Sequence, residues 1–382
     1  MKKGIRVAAI AFIIAVLFGA TGAMAQEAIK IGVIEPLTGP AAYDGQSVVE
    51  GARMAEEEIN ARGGVLGKPI RLVVEDGKAD PAESVNAAEK LLTRDRVPVI
   101  MGAWASSATL AIIPVMKKSG TPLVVETATS LKVTDPPSEW VYRICSNSAI
   151  DGQLMEKYLV PVLGFRNVAF MVANNDFGRA VVTFWSEAIK NKGGKVVLSE
   201  YHTPGEINFA PSLTKISTSG ADSIIITSDI QTASNIVKQT YEMGMAKIKR
   251  MVTNGIPSEA IVKLAGADAS EGLLVHNYWV PFAAPKGQEA RNKQFVDSYA
   301  AKYRNKPVDK YAAFGYDGVR VIAQAIMTAR SVDPVKIKSA LKNTKIDGLT
   351  GSIRFNDKNQ AVPYSSVSRI EKGKPRLVVH LN

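Results

Sequence analysis

The sequence predicts an α/β protein made of two doubly wound lobes, each built on a parallel sheet. Three observations carry this reading. Short apolar runs rich in β-branched residues alternate with amphipathic stretches of roughly ten to fifteen residues, which implies right-handed βαβ crossovers. The alternation runs from residue 28 to residue 125 and then starts again at residue 167. The run SIIIT at 223–227 is apolar on both faces, as a central strand covered by helices on each side must be.

The elements follow in order. Residues 28–34 (AIKIGVI) set Ile29, Ile31 and Val33 on alternate positions, in strand fashion. Residues 47–61 follow as a helix ending in Arg62-Gly63-Gly64, where glycine suits the left-handed position past a helix end. Residues 70–75 form the next strand. The helix after it opens Asp80-Pro81-Ala82-Glu83, with a capping acceptor, a proline in the first turn and a glutamate three residues on. A strand at 97–101, a helix at 106–118 and a strand at 122–125 complete the first run. The second run reads strand 167–172, helix 178–192 ending at Gly193-Gly194, strand 195–201, helix 209–219, strand 223–227 and helix 232–243. Beyond His276 come long helices at 288–304 and 311–330, and a β-rich tail at 351–355 and 365–381 closes the chain.

Composition narrows the class. With 382 residues the chain suits two to three domains of ordinary size. Hydrophobic residues at 46% and charged residues at 22% are globular values and exclude a mostly disordered or fibrous protein. The N-terminus carries Lys2, Lys3 and Arg6, then an apolar run over 7–20, then Ala23-Met24-Ala25. That is the three-part pattern of a cleaved secretory signal peptide over residues 1–25, and the apolar run is shorter than the ~20 residues of a membrane span. The mature chain is expected to be exported and soluble. The net charge is +11; three of the basic residues lie in the first 25, which hold no Asp or Glu, so the remainder carries +8. Cys145 is the single cysteine, in the strand-like run WVYRIC, which points to a buried inert thiol and excludes an intramolecular disulfide. The three histidines are far apart, and no zinc spacing occurs, so neither a metal nor another cofactor is expected. Nucleophile-elbow, metalloprotease, P-loop and dinucleotide-binding patterns are absent, which speaks against an enzyme. Basic residues are spread over helix faces without interleaved aromatics, which speaks against nucleic-acid binding.

Open α/β sheets bind ligands at the carboxyl ends of their strands, so two facing lobes would place a cleft between two such edges. The loops after the strands are polar: 36–46, 102–107, 126–130, 173–178, 228–231 and 253–257.

The stretch from KIGVIEPLTGPAAYDG through VIMGAWASSAT resembles the branched-chain amino acid binding proteins of ABC importers, which are type I periplasmic solute receptors. ANNDFGRA, the SIIITSD strand end and ASEGLLV follow in the order the resemblance requires, over the full mature length. The resemblance implies two lobes joined by three hinge crossings: an N-terminal lobe of 26–147 plus 277–362 and a C-terminal lobe of 148–276 plus 363–382. It implies a monomer in the periplasm that traps a small amino-acid-like ligand by closure and passes it to the ABC permease membrane subunits, without chemistry on the ligand. A receptor for an aromatic or short-chain carboxylate or amide, or the ligand-binding subunit of a sensor, is the other reading.

For the site, the resemblance matches Ser106 and Thr129 to the residues that hold a ligand α-carboxylate, and Thr127 to the one whose backbone carbonyl receives the ammonium. Ser106 also opens a predicted helix, whose free backbone N–H groups suit an anion. A plain N-cap role for Ser106 is the alternative. Trp104 matches an apolar wall, Phe177 an aromatic cover, and Tyr43 and Tyr311 further pocket aromatics. Asp176 is expected to organise the turn rather than touch ligand. Two positions depart from the pattern. Asn254 stands where the family has the glutamate that neutralises the ammonium, and Asp229 stands where it has a strand-end aromatic. Either the ammonium partner has moved to Asp229, or the ligand has no ammonium and Asp229 caps the following helix.

Overall fold

The computed structural model describes residues 27–203, 205–245, 247–253, 258–304, 306–362 and 364–381; the expected signal peptide and Asn254 lie outside the described residues. Strands β1 (Ile29–Glu35), β2 (Ile70–Asp76), β3 (Ile100–Gly102), β4 (Leu123–Val125) and β5 (Val141–Arg143) form one sheet in the order β2-β1-β3-β4-β5, parallel throughout. Strands β6 (Asn167–Ala173), β7 (Lys195–His202), β8 (Ser223–Thr227), β9 (Lys249–Val252) and β10 (Leu274–Asn277) repeat that winding in a second parallel sheet, β10-β9-β8-β6-β7. A separate hairpin pairs β11 (Lys345–Gly348) with β12 (Gly351–Arg354), so the first piece of the β-rich tail joins neither sheet. The rest of the tail, β13 (Ser365–Glu371) and β14 (Lys374–Leu381), adds antiparallel to the β10 edge.

The molecule is thus two doubly wound lobes with three crossings between them. The chain leaves the first sheet after β5 and enters the helix Ser148–Glu156, capped by Asn147, whose side chain accepts from the N–H groups of Ala149 and Ile150. It returns after β10, where Tyr278 and Trp279 enter the first lobe's core. It crosses a third time between Ala361 and Ser365. The first and third crossings are stitched together, since Ala361 N–H donates to the Arg143 carbonyl at 2.8 Å.

In the first lobe, Ile29, Ile31 and Val33 face a core shared with the helices Ala42–Ala61 and Lys310–Ala329, while Ile34 faces the opposite core. Those two helices touch through glycines. A Cβ on Gly51 would fall 1.8 Å from the Ala312 carbonyl oxygen, and one on Gly315 would fall 2.0 Å from that of Val48. This close approach fixes the N-terminal end of the late helix at the sheet edge. Some starts differ from the sequence reading. The first helix begins at Ala42 rather than 47, because Ala41 caps it with no side-chain acceptor and leaves no signature to read. The helices Ser148–Glu156, Ser258–Ala265 and Pro334–Lys342 have no counterpart in the sequence reading; each is only eight or nine residues long. Cys145 is fully buried, and burial pushes its thiol up to about 12, as an inert core thiol requires.

Candidate functional site

Both sheets reverse strand order between their first and third strands, and such a switch point opens a crevice where adjacent loops diverge. The two crevices face each other across a cavity of about 320 Å³. Its walls come from the loops after β1, β2, β3 and β4 and the start of the helix Lys310–Ala329 on one side, and from the loops after β6, β7 and β8 on the other. The lobes touch around it: Lys132 of the first lobe pairs with Asp176 of the second at 3.4 Å, and Tyr43 packs against the second lobe's core.

The first-lobe wall is held from behind. Ser106 opens the helix Ser106–Ser119, but the cap position belongs to Ala105, and no side chain caps the first turn. The Ser106 hydroxyl instead accepts from the Ser130 backbone N–H at 3.0 Å, tying the helix start to the loop after β4. Its own proton and the first-turn N–H groups, which no helix satisfies internally, remain for a ligand. Thr129 is buried on the cavity wall, and its carbonyl accepts from the Ser148 N–H at 2.8 Å. Arg143, fully buried, braces this loop by donating to the carbonyls of Ala128 (3.0 Å) and Ser130 (2.6 Å), to the Thr134 hydroxyl (2.7 Å) and to Gln360 (2.5 Å). Trp104 has a left-handed backbone, φ 51°, and the Thr127 hydroxyl holds its carbonyl at 3.0 Å. Below it, Glu126 and Glu35 meet at the ends of β4 and β1, both fully buried. Burial first, and for Glu35 its neighbour's charge, pushes these carboxyls up.

From the second lobe, Asn175 caps the helix Asp176–Asn191 by accepting from Gly178 N–H, and Phe177 then projects from its first turn onto the cavity. Asp229 lines the cavity and also caps its helix, accepting from Thr232 N–H at 2.9 Å. Asp176 starts its helix and does not line the cavity; Asn175 is the cap, and the Asp176 carboxylate pairs with Lys132 and Arg179.

A family profile described as periplasmic binding protein matches residues 28–375. The chain belongs to that family. It is similar to the leucine-, isoleucine-, valine-, threonine-, and alanine-binding protein of Pseudomonas aeruginosa, with 27% identity over 94% of this chain and 94% of that one. Among solved structures it is similar to the leucine binding protein LivK of Thermotoga maritima, with a TM-score of 0.85 and 27% identity over 93% of this chain and 99% of that one. It is likewise similar to the branched-chain amino acid transporter substrate binding protein LivJ of Streptococcus pneumoniae, solved with isoleucine, with a TM-score of 0.83 and 27% identity over 92% and 99% of the two chains.

Within this periplasmic binding fold, Trp104, Ser106, Thr127, Thr129, Phe177, Asp229 and Tyr311 share one cavity. Tyr43 does not line it. Because the first helix starts at Ala42, Tyr43 lies in its first turn, against the second lobe's core and beneath the Lys306 ammonium, 4.8 Å from the ring centre. Asn254 is outside the described residues. The sequence reading missed Lys310 and His202, both buried cavity residues. Lys310 left a signal: a lysine in the first turn of a helix as apolar as Lys310–Ala329 is a buried lysine. Burial lowers its ammonium to about 8. The His202 ring is also pushed down, chiefly by burial. With its Nδ1 3.3 Å from the Thr203 carbonyl, the neutral ring that donates there leaves Nε2 as an acceptor.

Proposed function

We propose that the chain is the exported solute-capturing subunit of an ABC importer, a monomer that closes its two lobes on one small amino-acid-like carboxylic ligand and delivers it to a membrane permease. The observation that carries this is the cavity at two facing switch points, with a serine, a threonine and an open helix N-terminus converging on one wall. That set of neutral donors suits a carboxylate, and Trp104, Tyr311 and Phe177 supply apolar surface for the remainder of a small ligand. The names of the relatives support the amino-acid-like class. The boundaries 26–147 plus 277–362 and 148–276 plus 363–382 serve as the working lobes, and residues 1–25 as the export signal. The design has no use for bond-making chemistry. A carboxylate without an ammonium is the second reading, favoured by one observation: Asp229 is already engaged in capping its helix.

Thermal-shift screening of amino acids and short or aromatic carboxylic acids against the mature chain tests the proposal. A true ligand at one hundred times its Kd should stabilise the closed form by about 2.7 kcal/mol. A chain that none of these compounds stabilises would not be a receptor of this class.

A further inference from the structure

The cleft contains a cation with no counter-ion in contact among the described residues. Lys310 is the first residue of the helix Lys310–Ala329, is only 6% exposed and lines the cavity. Its ammonium lies 4.3 Å from the centre of the Tyr311 ring and 5.1 Å from that of Tyr278. Among the described residues no carboxylate comes within 4 Å of it and no acceptor receives its hydrogen bonds. The carboxyls nearest in charge are engaged elsewhere or held toward their neutral form. Asp309 accepts from Ala312 N–H at 3.0 Å, and Asp151 from the Tyr278 hydroxyl at 2.5 Å. Asp44 is fully buried, and that burial, with the charges of Asp229 and Asp309, pushes it well up. A buried ammonium is costly without a counter-charge, and the N-terminal end of a helix dipole raises that cost.

A second donor stands beside it. The Trp104 indole N–H is buried with no hydrogen-bond partner among the described residues, and its ring lies 6.4 Å from that of Tyr311. The first-lobe wall therefore presents Lys310, Trp104, Ser106 and open backbone N–H groups as donors, while its one carboxylate, Asp80, already accepts from the N–H groups of Ala82 and Glu83. Across the cavity the Asp229 carboxylate already receives Thr232 N–H at 2.9 Å and lies 3.3 Å from the Ser228 hydroxyl.

We propose that Lys310 receives an anionic group of the ligand, so that this cleft selects small carboxylic acids lacking an ammonium over the matching amino acids. This rests on the solute-capture reading above and names its substrate class. A carboxylic acid brings the missing negative charge and acceptors for the unused donors. An amino acid would bring a second ammonium into a cavity of about 320 Å³ that already encloses one.

Calorimetry on the mature chain with matched pairs decides it: 4-methylpentanoate against leucine, and 3-phenylpropanoate against phenylalanine. Within a pair that binds, the acid should be favoured by roughly tenfold or more, the scale of one charge-assisted contact. Lys310→Met should remove that preference without lowering the apo melting temperature, and Lys310→Arg should retain it. Amino acids bound as tightly as their acids, or more tightly, would overturn the Lys310 assignment and leave solute capture standing. So would an acid preference that survives Lys310→Met. Should Lys310→Met fail to fold, Lys310→Gln takes its place in the same comparison, with the same outcomes. Binding of neither member of either pair, together with a silent thermal-shift screen, would overturn both readings.

Discussion

Ser106, Thr129 and Lys310 on the first lobe are each at most 6% exposed, whereas Phe177 and Asp229 on the second are half-buried. Behind the first wall stand the Ser106–Ser130 hydrogen bond, the Arg143 brace and the Glu35–Glu126 pair. Behind Phe177 and Asp229 stand two helix caps, Asn175 and Asp229 itself. Ser106, Thr129 and Lys310 are thus held by contacts from several segments, whereas Phe177 and Asp229 sit at helix starts. A wall already held in place lowers the ordering cost of binding. The ionisable groups divide as well. All three histidines lie on strands of the second sheet, while Glu35, Glu126 and Asp44 are buried carboxyls of the first lobe.

The largest expected effect would break what holds the first wall. Arg143→Met leaves three carbonyl or hydroxyl acceptors and Gln360 without its hydrogen bonds, and should cost at least about 1–3 kcal/mol in urea unfolding, the cost of even one buried polar group left unsatisfied. Ligand affinity should fall too, although Arg143 does not line the cavity; unchanged affinity would mean that the loop after β4 needs no brace. Next, Ser106→Ala should weaken carboxylate binding by ~1.5–3 kcal/mol in calorimetry. Thr129→Val should act similarly, and the double variant less than additively, because both residues address one group. Two variants that bind as wild type would remove this wall from the site.

Acid should separate the lobes. Burial lowers His276 to about 3 and pushes His202 down, so unfolding the second lobe releases rings that take up protons below about pH 6.5. Stability from His276 is therefore full at neutral pH and lost as pH falls, by roughly 2 kcal/mol at pH 5. The raised carboxyls of Glu35, Glu126 and Asp44 have the opposite sign: the folded first lobe holds their protons more tightly, so it gains stability as pH falls. Asp151, pushed up to about 6 by burial, gives the second lobe a smaller opposing term. Hydrogen exchange, corrected for intrinsic rate, should show the second sheet losing protection relative to the first between pH 7 and pH 5. Equal change in both sheets would refute the division. The smallest effect concerns the second wall: Asp229→Ala should lower apo stability by about 1 kcal/mol as a lost cap, with Asp229→Asn near neutral because asparagine caps as well. If Asp229→Asn abolishes ligand binding in calorimetry while apo stability is unmoved, the second wall grips the ligand as directly as the first.

Much of this was legible in the chain. The restart of strand–helix alternation at residue 167 announced two lobes, and polar loops after each strand announced where the cavity lies, because both are local patterns repeated along the sequence. Ser106, Thr129, Trp104 and Phe177 were placed by the resemblance to the branched-chain amino acid binding proteins, and only Ser106 also by its position at a predicted helix start. The start of the first helix was not legible, since Ala41 caps nothing, and Tyr43 was misplaced with it.

Side-chain periodicity within single elements is enough to set the winding of each sheet and the chain positions that reach its carboxyl edge. The charge of the site is settled only by packing. Lys310 is buried, with its ammonium over the rings of Tyr278 and Tyr311, which come from two different segments. The Glu35 and Glu126 carboxyls are pushed up because β1 and β4, which flank β3, bury both of them at their ends, and Arg143 braces the site because Gln360 comes from just before the third crossing to meet it. Each of these depends on which distant segments exclude water from a given side chain, and desolvation has no period for a sequence to display.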